Sequence, residues 1–198
     1  MLARGGGSWY DTGRISEQAP GAPKGGTMSH AEHEQRAQQE VGRAIRCGVI
    51  TISDTRTPET DTSGAAVRAA LEAAGHTIAG YAVVPDEPAQ IVALVRQLAA
   101  QGCQAIITNG GTGITRRDST FEAIDALLEK RLPGFGELFR MLSYQEIGAA
   151  AMLSRATAGL LGGTVIFCLP GSTGAVRLAL ERLIVPELPH LVWETIRQ

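Results

Sequence analysis

A glycine-rich turn followed by arginines and a carboxylate lies near the middle of the chain. Gly110, Gly111 and Gly113 come after a short apolar run, and Arg117 and Asp118 come soon after the glycines. Glycine has no Cβ, so such a turn adopts left-handed dihedral angles readily and brings backbone N–H groups close to an anion. The turn is therefore a candidate phosphate cradle, although a plain strand-to-helix loop has a similar composition.

The turn matches neither standard nucleotide-binding loop. The chain has no GxxxxGK[ST] sequence, and Arg116 stands where a GxGxxG pattern beginning at Gly111 needs its last glycine. The residues that follow also have a purely structural explanation. Ser119 and Glu122 have the spacing of a capping box that begins a helix, and Asp118 is a possible cap for the same helix. The two arginines are equally suited to a solvated surface.

Three other polar turns follow apolar runs of strand-like composition. Asp54 comes after one such run, Asp86 after a second, and the segment Pro170-Gly171-Ser172 after a third. In open α/β sheets ligands bind beyond the carboxyl ends of the strands, so parallel strands would bring all four turns to one rim. Asp54 and Asp86 are also ordinary turn residues, and Ser172 fits a helix N-cap, so each has a structural alternative.

The elements that would hold these turns alternate between strand and helix. Strands, each followed by an amphipathic helix, are predicted over residues 46–52, 77–84 and 105–108. The Gly162-Gly163 pair between two later strands favours a hairpin, so one strand is predicted to be antiparallel. Pro186 is predicted to begin the last helix. This pattern indicates an α/β sandwich with a mostly parallel sheet.

The composition limits the class of protein. The chain has 198 residues, of which 44% are hydrophobic and 19% are charged, enough for one globular domain. A net charge of −2 argues against a nucleic-acid partner, and no apolar stretch is long enough for a membrane span, so a cytoplasmic location is expected. Cys47, Cys103 and Cys168 are far apart and are expected to be reduced, mostly buried thiols.

The N-terminus differs in composition from the rest of the chain. Residues 1–42 show little apolar periodicity and are predicted to form a flexible extension. The folded domain would then occupy residues 43–198. Translation starts at either Met1 or Met28, and the sequence does not decide between the two.

Together, these motifs resemble those of the MogA/MoaB family of molybdopterin-processing proteins, over a region that begins near residue 43. The stretch from Phe139 to Gly148 is similar to the MoaB branch in particular. The resemblance rests on the order and spacing of short motifs. They are Ser53-Asp54, Asp61-Thr62-Ser63-Gly64, Pro85-Asp86-Glu87, Gly110-Gly111-Thr112-Gly113, Arg117-Asp118, Pro133-Gly134-Phe135-Gly136-Glu137, Ser154-Arg155 and Pro170-Gly171-Ser172.

The resemblance implies a three-layer αβα sandwich and a role in molybdenum cofactor biosynthesis. Members bind molybdopterin, and active members use ATP and Mg²⁺ to adenylylate its terminal phosphate before molybdenum insertion. By the matching motifs, Asp86 and Asp118 are the catalytic residues and the Mg²⁺ ligands, a role that suits carboxylates in phosphoryl transfer. The other matched positions are expected to bind substrate, and they are Asp54, Gly110, Gly111, Thr112, Gly113, Arg117, Ser154, Pro170, Gly171 and Ser172.

Two alternatives to this enzyme stay open. One is a non-catalytic molybdopterin-binding carrier or assembly partner in the same pathway, and the other is a phosphate-binding α/β enzyme outside cofactor synthesis. The resemblance also implies a homotrimer, or a hexamer of two trimers, and a molybdenum-insertion protein as partner. Phe135, Phe139 and Leu142 recur with helical spacing and form either an exposed stripe for such a contact or part of the core.

Overall fold

The computed structural model describes residues 44–197. The predicted flexible extension, residues 1–42, lies outside the described residues. From Arg46 onward, strands and helices alternate in the order that the hydrophobic pattern predicts. The first half of the domain contains β1 Arg46–Ile52, α1 Thr62–Ala73, β2 Thr77–Val84, α2 Pro88–Ala100, β3 Ala105–Asn109 and α3 Thr120–Leu127.

Local sequence signals set several of these boundaries. Asp61 begins α1 because its carboxylate accepts a hydrogen bond from the Gly64 N–H at 2.9 Å. Pro88 lies in the first turn of α2, where no intrahelical partner would use its missing N–H. Gly75 and Gly102 follow α1 and α2 with φ angles of +84° and +82°, the left-handed conformation that ends many helices.

The second half contains two short elements that the hydrophobic pattern does not predict. One is the edge strand Lys130–Arg131, and the other is a 3₁₀ turn over Gly148–Leu153. The elements in order are β4 Lys130–Arg131, α4 Pro133–Ile147, the 3₁₀ segment Gly148–Leu153, β5 Thr157–Leu161, β6 Thr164–Leu169, α5 Thr173–Ala179, a π-helical turn Leu180–Ile184 and α6 Val185–Ile196.

The C-terminal helix begins where the sequence predicts, but it is continuous with the elements before it. Pro186 lies in the first turn of α6, which starts at Val185, and residues 173–196 are helical without a break. In the π-helical turn directly before the proline, the Val185 N–H donates to the Leu180 carbonyl. Proline lacks an N–H, and its ring displaces the preceding turn, so the wider turn lets the helix pass Pro186 without ending.

The six described strands form one sheet in the order β2-β1-β3-β6-β5-β4. The strands β2, β1, β3 and β6 are parallel, whereas β5 is antiparallel to both of its neighbours. The predicted Gly162-Gly163 hairpin joins β5 to β6, and this confirms the single antiparallel strand. Since β2 lies on one side of β1 and β3 on the other, the strand order switches beside β1, the usual ligand position in such sheets.

Helices cover both faces of the sheet. The helices α1, α4, α5 and α6 pack on one face, and α2 and α3 pack on the other. Adjacent residues of a strand divide between the two cores, as Val49 and Ile50 do, because side chains alternate across a strand. The three-layer αβα arrangement is therefore confirmed. Phe139 and Leu142 are buried in the first core, and Phe135 packs against it, so this stripe belongs to the core.

The three cysteines are free and buried, as predicted. Burial raises the pKa of Cys47 and the pKa of Cys168 to about 12, so both thiols are protonated at neutral pH. Among the helices of residues 44–197, none combines the length and the apolar character needed to cross a bilayer.

Candidate functional site

A polar cavity of about 510 Å³ lies beyond the carboxyl ends of β1, β3 and β6. It is lined by Ser53, Thr55 and Arg56 after β1, by residues 110–113 and Asp118 after β3, and by residues 170–172 after β6. We call it the polar cavity. It lies at the rim where the sequence predicts that the polar turns meet, next to the switch in strand order.

The glycine turn excludes larger residues at its first two positions. Gly110 has a φ of +100°, and a Cβ there would collide with the carbonyl oxygen of Ile52. Gly111 has a φ of +63°, and its Cβ would collide with the side chains of Asp86 and Thr120. The glycines thus let the turn pack against β1 and the start of α3 while its backbone lines the cavity.

Asp118 is the acidic residue of the cavity lining. Its Oδ2 accepts hydrogen bonds from the Thr115 N–H at 3.0 Å and from the Thr115 hydroxyl at 2.6 Å. The hydroxyl bond contributes most to holding the pKa of Asp118 below its usual range, so the carboxylate is charged at neutral pH. Gly113 lies close by, since an added Cβ would be 2.6 Å from Oδ2. A charged carboxylate beside glycine backbone suits a divalent cation shared with a phosphate.

Asp86 lies beneath the turn. It is only 5% exposed, and its carboxylate accepts hydrogen bonds from the Ser119 hydroxyl at 2.8 Å, the Ser119 N–H at 3.2 Å and the Thr120 hydroxyl at 3.1 Å. Asp86 thereby fixes the start of α3. The predicted capping box is wrong, because Ser119 gives its hydroxyl to Asp86 and Glu122 pairs with Arg155.

Asp54 and Arg117 form an ion pair beside the polar cavity. The Arg117 guanidinium donates from Nε to Asp54 Oδ2 at 2.8 Å and from Nη2 to Asp54 Oδ1 at 2.9 Å. It also donates from Nη1 to Glu87 at 2.7 Å. The Arg117 hydrogen bonds, together with one from the Asp86 N–H, lower the pKa of Asp54 to about 2. The pair therefore joins the loops after β1, β2 and β3 at the rim.

Arg56 is a cavity residue that the sequence motifs do not predict. Its Nη1 donates to the Ser63 hydroxyl at 2.8 Å and to Asp61 Oδ1 at 3.4 Å, and its Nη2 donates to the Gly171 carbonyl at 3.4 Å. It therefore joins the loop after β1, the start of α1 and the loop after β6, and it brings a positive charge to the cavity. Arginine is common in polar surface turns, so its neighbours in sequence give no distinguishing signal.

Arg155 ties the glycine turn from the other side. Its Nε donates to the Thr112 carbonyl at 2.9 Å, and its Nη2 donates to Glu122 of α3 at 3.1 Å. The same guanidinium lies 4.8 Å from the centre of the Phe121 ring. Arg155 thus fixes the turn relative to α3. It forms part of the Ser154-Arg155 motif, in which only the serine is predicted to bind substrate.

A second, smaller cavity adjoins the polar cavity, and we call it the side cavity. It has a volume of about 220 Å³ and shares Leu153, Pro170 and Ser172 with the polar cavity. Ser154 lines the side cavity, away from the glycine turn. Ser172 lies at the junction and is also the N-cap of α5, where its hydroxyl accepts a hydrogen bond from the Ala175 N–H at 3.3 Å.

The sequence matches one family model over most of its length. Residues 48–190 match the molybdenum cofactor biosynthesis family, described as "Probable molybdopterin binding domain". The chain belongs to this family. Its relatives include the Molybdenum cofactor biosynthesis protein B of Bacillus anthracis, which is 51% identical over 173 residues and is matched over 86% of this chain and 100% of that protein.

Two further relatives place this family member among the B proteins. The Molybdenum cofactor biosynthesis protein B of Bacillus subtilis is 54% identical over 173 residues, with 84% of this chain and 97% of that protein covered. A crystal structure of a Molybdenum cofactor biosynthesis protein B has a TM-score of 0.75 and 52% identity, with 79% of this chain and 98% of that chain covered. These similarities confirm the resemblance to the MoaB branch and identify a molybdenum cofactor biosynthesis protein.

The predicted site residues of this molybdopterin-binding domain fall into three groups. The polar cavity contains Gly110, Gly111, Thr112, Gly113, Asp118, Pro170, Gly171 and Ser172. Ser154 lies in the side cavity, whereas Asp54, Asp86 and Arg117 surround the glycine turn. Within residues 44–197, there is no group of three or more His, Cys, Asp or Glu side chains placed to hold a metal. A Mg²⁺ ion that takes one or two carboxylates, waters and phosphate oxygens needs no such group.

Proposed function

We propose that this protein binds molybdopterin and adenylylates its terminal phosphate with ATP and Mg²⁺ in the cytoplasm, before molybdenum is inserted. The observation that carries the proposal is the polar cavity, where the glycine turn, Arg56 and Asp118 meet. Backbone N–H groups and a guanidinium suit anionic phosphates, and a charged carboxylate suits the cation that accompanies them. Family membership supports molybdopterin as the ligand.

The proposed reaction is a nucleotidyl transfer. An oxygen of the molybdopterin phosphate forms a bond to the α-phosphorus of ATP, the bond between that phosphorus and its bridging oxygen breaks, and pyrophosphate leaves. The glycine turn and Arg56 bind and orient the phosphates, and Ser172 contacts the molybdopterin side. Asp118 and Asp86 would hold Mg²⁺, which supplies charge neutralisation on the phosphates.

The two aspartates contribute from different positions. Asp118 lines the cavity and holds its charge next to Gly113. Asp86 is buried and already accepts hydrogen bonds from Ser119 and Thr120, so it also holds the glycine turn in place from beneath. Positioning and electrostatics supply most of the catalysis in phosphoryl transfer, so both contributions favour the same reaction.

The test is AMP transfer by the purified protein. ATP labelled at the α-phosphate is mixed with molybdopterin and Mg²⁺, and labelled product and pyrophosphate are measured, with reactions lacking molybdopterin or Mg²⁺ as controls. We expect both products to require both components. Molybdopterin binding without transfer would instead support the non-catalytic carrier, and failure to bind molybdopterin would support a phosphate-binding enzyme outside this pathway.

We also propose a trimer or a hexamer that works with a molybdenum-insertion protein. The exposed apolar side chains of α4 include Leu138, Met141 and Tyr144, which are 48%, 51% and 65% exposed. An apolar face of this kind favours a protein contact. Light scattering should give a trimeric or hexameric multiple of 20.8 kDa, and a stable monomer would contradict the assembly.

A further inference from the structure

The start of α1 contains two buried polar side chains that do not line the polar cavity. They belong to the motif Asp61-Thr62-Ser63-Gly64, and Asp61 and Ser63 are only 2% and 0% exposed. Both contact Arg56, whose side chain does line the cavity. Because they are buried outside the lining, Asp61 and Ser63 can act on a ligand in the cavity only through a residue that reaches it.

The Ser63 hydroxyl connects Arg56 to the loop after β6. It accepts a hydrogen bond from Arg56 Nη1 at 2.8 Å and donates one to the Gly171 carbonyl at 2.8 Å. Arg56 Nη2 donates to the same carbonyl at 3.4 Å. The three residues thus close a ring of three hydrogen bonds. Since the guanidinium is planar and rigid, two anchored nitrogens fix its orientation.

The Asp61 carboxylate places a negative charge behind the guanidinium. Its Oδ1 lies 3.4 Å from Arg56 Nη1 and accepts a hydrogen bond from the Gly64 N–H at 2.9 Å. The Tyr81 hydroxyl donates to Oδ2 at 2.8 Å, and the Thr51 hydroxyl also donates to the carboxylate. A buried carboxylate with four donors is held both in its charged form and in its position.

Gly64 makes room for this arrangement. An added Cβ there would collide with the Asp61 carboxylate and would lie 2.6 Å from the Thr51 hydroxyl oxygen. Thr51 is a buried residue of β1, and its hydroxyl accepts a hydrogen bond from Asn109 Nδ2 of β3 at 3.0 Å. The strands β1 and β3 are neighbours in the sheet. The hydrogen bonds therefore run from two central strands through Asp61 to Arg56.

We infer that Asp61 and Ser63 are positioning residues that hold Arg56 in the orientation in which it binds phosphate. The inference rests on the proposed function and deepens it, because it explains how the site keeps a cationic side chain ready for an anion. An arginine that is fixed before binding loses little rotamer freedom when the ligand arrives. Removing either neighbour should weaken phosphate binding, although neither neighbour touches the ligand.

Binding of inorganic pyrophosphate tests the inference without catalysis, since pyrophosphate is the leaving group of the proposed reaction. Calorimetry should show that Ser63→Ala, which changes no charge, weakens pyrophosphate binding about 3- to 10-fold, the range for one hydrogen bond to a charged group. The matched control is Thr164→Val. It removes a buried hydroxyl that donates to the Cys103 carbonyl at the opposite end of the sheet, and it should bind pyrophosphate like the wild type.

A double-mutant cycle distinguishes positioning from a general loss of structure. In an Arg56→Met background, Ser63→Ala should weaken pyrophosphate binding no further, because the group that it positions is absent. Asp61→Asn gives a second measurement. Loss of a negative charge by itself favours an anion, so the weaker binding that we expect would arise from the displaced guanidinium. Circular dichroism on each variant checks that the fold is retained.

Three results would overturn the inference. They are wild-type affinity in Ser63→Ala, an equal loss from Ser63→Ala with and without Arg56, and no binding of pyrophosphate by the wild type. Tighter binding in Asp61→Asn would overturn the role of that residue. Absent AMP transfer with the expected coupling between Ser63 and Arg56 would refute the adenylyltransferase while the positioning role stands, and AMP transfer without the coupling would do the reverse.

Discussion

The carboxylate of Asp86 accepts hydrogen bonds from both the hydroxyl and the backbone N–H of Ser119, at 2.8 and 3.2 Å. The loops after β2 and β3 are thereby joined directly beneath Gly111, where an added Cβ would collide with Asp86. Arg155 holds the same turn from the side through the Thr112 carbonyl. A turn fixed in this way needs little rearrangement when an anion binds, which is the preorganisation that electrostatic catalysis requires.

Asp118→Asn and Asp86→Asn are expected to reduce AMP transfer to a similar extent. Their effects on the stability of the fold should differ. Each removes a charge near the phosphates, so AMP transfer should fall about 10²–10³-fold while molybdopterin binding persists. Asp86→Asn should also lower the free energy of unfolding by about 1–3 kcal/mol, because an amide cannot accept all the hydrogen bonds from Ser119 and Thr120. Labelled-ATP assays and urea denaturation measure the two effects. Full turnover in either variant would show that the substituted aspartate is not needed as a metal ligand.

The double variant Asp86→Asn/Asp118→Asn adds a control for a shared ion. If both carboxylates act through one Mg²⁺, the second substitution should slow AMP transfer little beyond the first. Losses that multiply would indicate independent roles for Asp86 and Asp118.

Arg56→Met should raise the KM for molybdopterin about 10-fold or more, because it removes the charge and the contacts to Ser63 and Gly171. Arg56→Lys keeps the charge but not the planar fork, so it should recover only part of the affinity. Arg116→Met is the matched control, since Arg116 is exposed and lies outside the cavity lining. Steady-state kinetics measure the KM of each variant. Equal KM values for Arg56→Met, Arg56→Lys and Arg116→Met would show that Arg56 does not bind molybdopterin.

Gly110→Ala should destabilise the protein more than Gly162→Ala does. Both glycines have positive φ angles, so both substitutions strain the backbone by about 1 kcal/mol. At Gly110 the added Cβ also meets the Ile52 carbonyl, whereas at Gly162 nothing lies within 4 Å. Gly110→Ala should therefore cost about 2 kcal/mol or more and disturb AMP transfer. Matching urea midpoints for the two variants would contradict the close approach of the turn to β1.

Asp61 should make stability depend on pH in the acidic range. Burial acts to raise the pKa of this carboxyl, but hydrogen bonds from Thr51, the Gly64 N–H and Tyr81 outweigh it, and the pKa is lowered. A carboxyl whose pKa is lower in the folded state stabilises the fold above its unfolded pKa of about 3.9, and this contribution is lost as the pH falls through that range.

The expected result is measured with Asp61→Asn. At pH 7 the variant should lose about 2–4 kcal/mol of unfolding free energy, because the buried partners of Asp61 lose a charged acceptor. Between pH 5 and pH 3 its stability should fall less steeply than that of the wild type. Urea denaturation across this pH range measures the free energy of unfolding of both proteins. If that free energy declined in parallel for the wild type and the variant, the ionisation of Asp61 would not contribute to the pH dependence of stability.

The sequence by itself determined most of the backbone. Alternating and helical hydrophobic patterns predicted β1 and β2 with the bounds that the structure has, and local signals such as Asp61 and Pro88 marked the helix starts. These signals work because a residue's backbone conformation depends largely on neighbours within a few positions. The two-residue strand Lys130–Arg131 has no such pattern, and it exists only because β5 offers an edge to pair with.

Only the tertiary structure decided which side chains meet. Arg56 reaches Gly171 and Asp86 reaches Ser119 because the sheet order and the helix packing bring distant loops to one rim. Hydrophobic periodicity does not encode such partners. Hydrophobic periodicity also does not predict which apolar stripe of α4 packs on the sheet, because that helix carries apolar residues on more than one side. Packing against β5 and α5 buries the stripe containing Phe139 and leaves Met141 exposed.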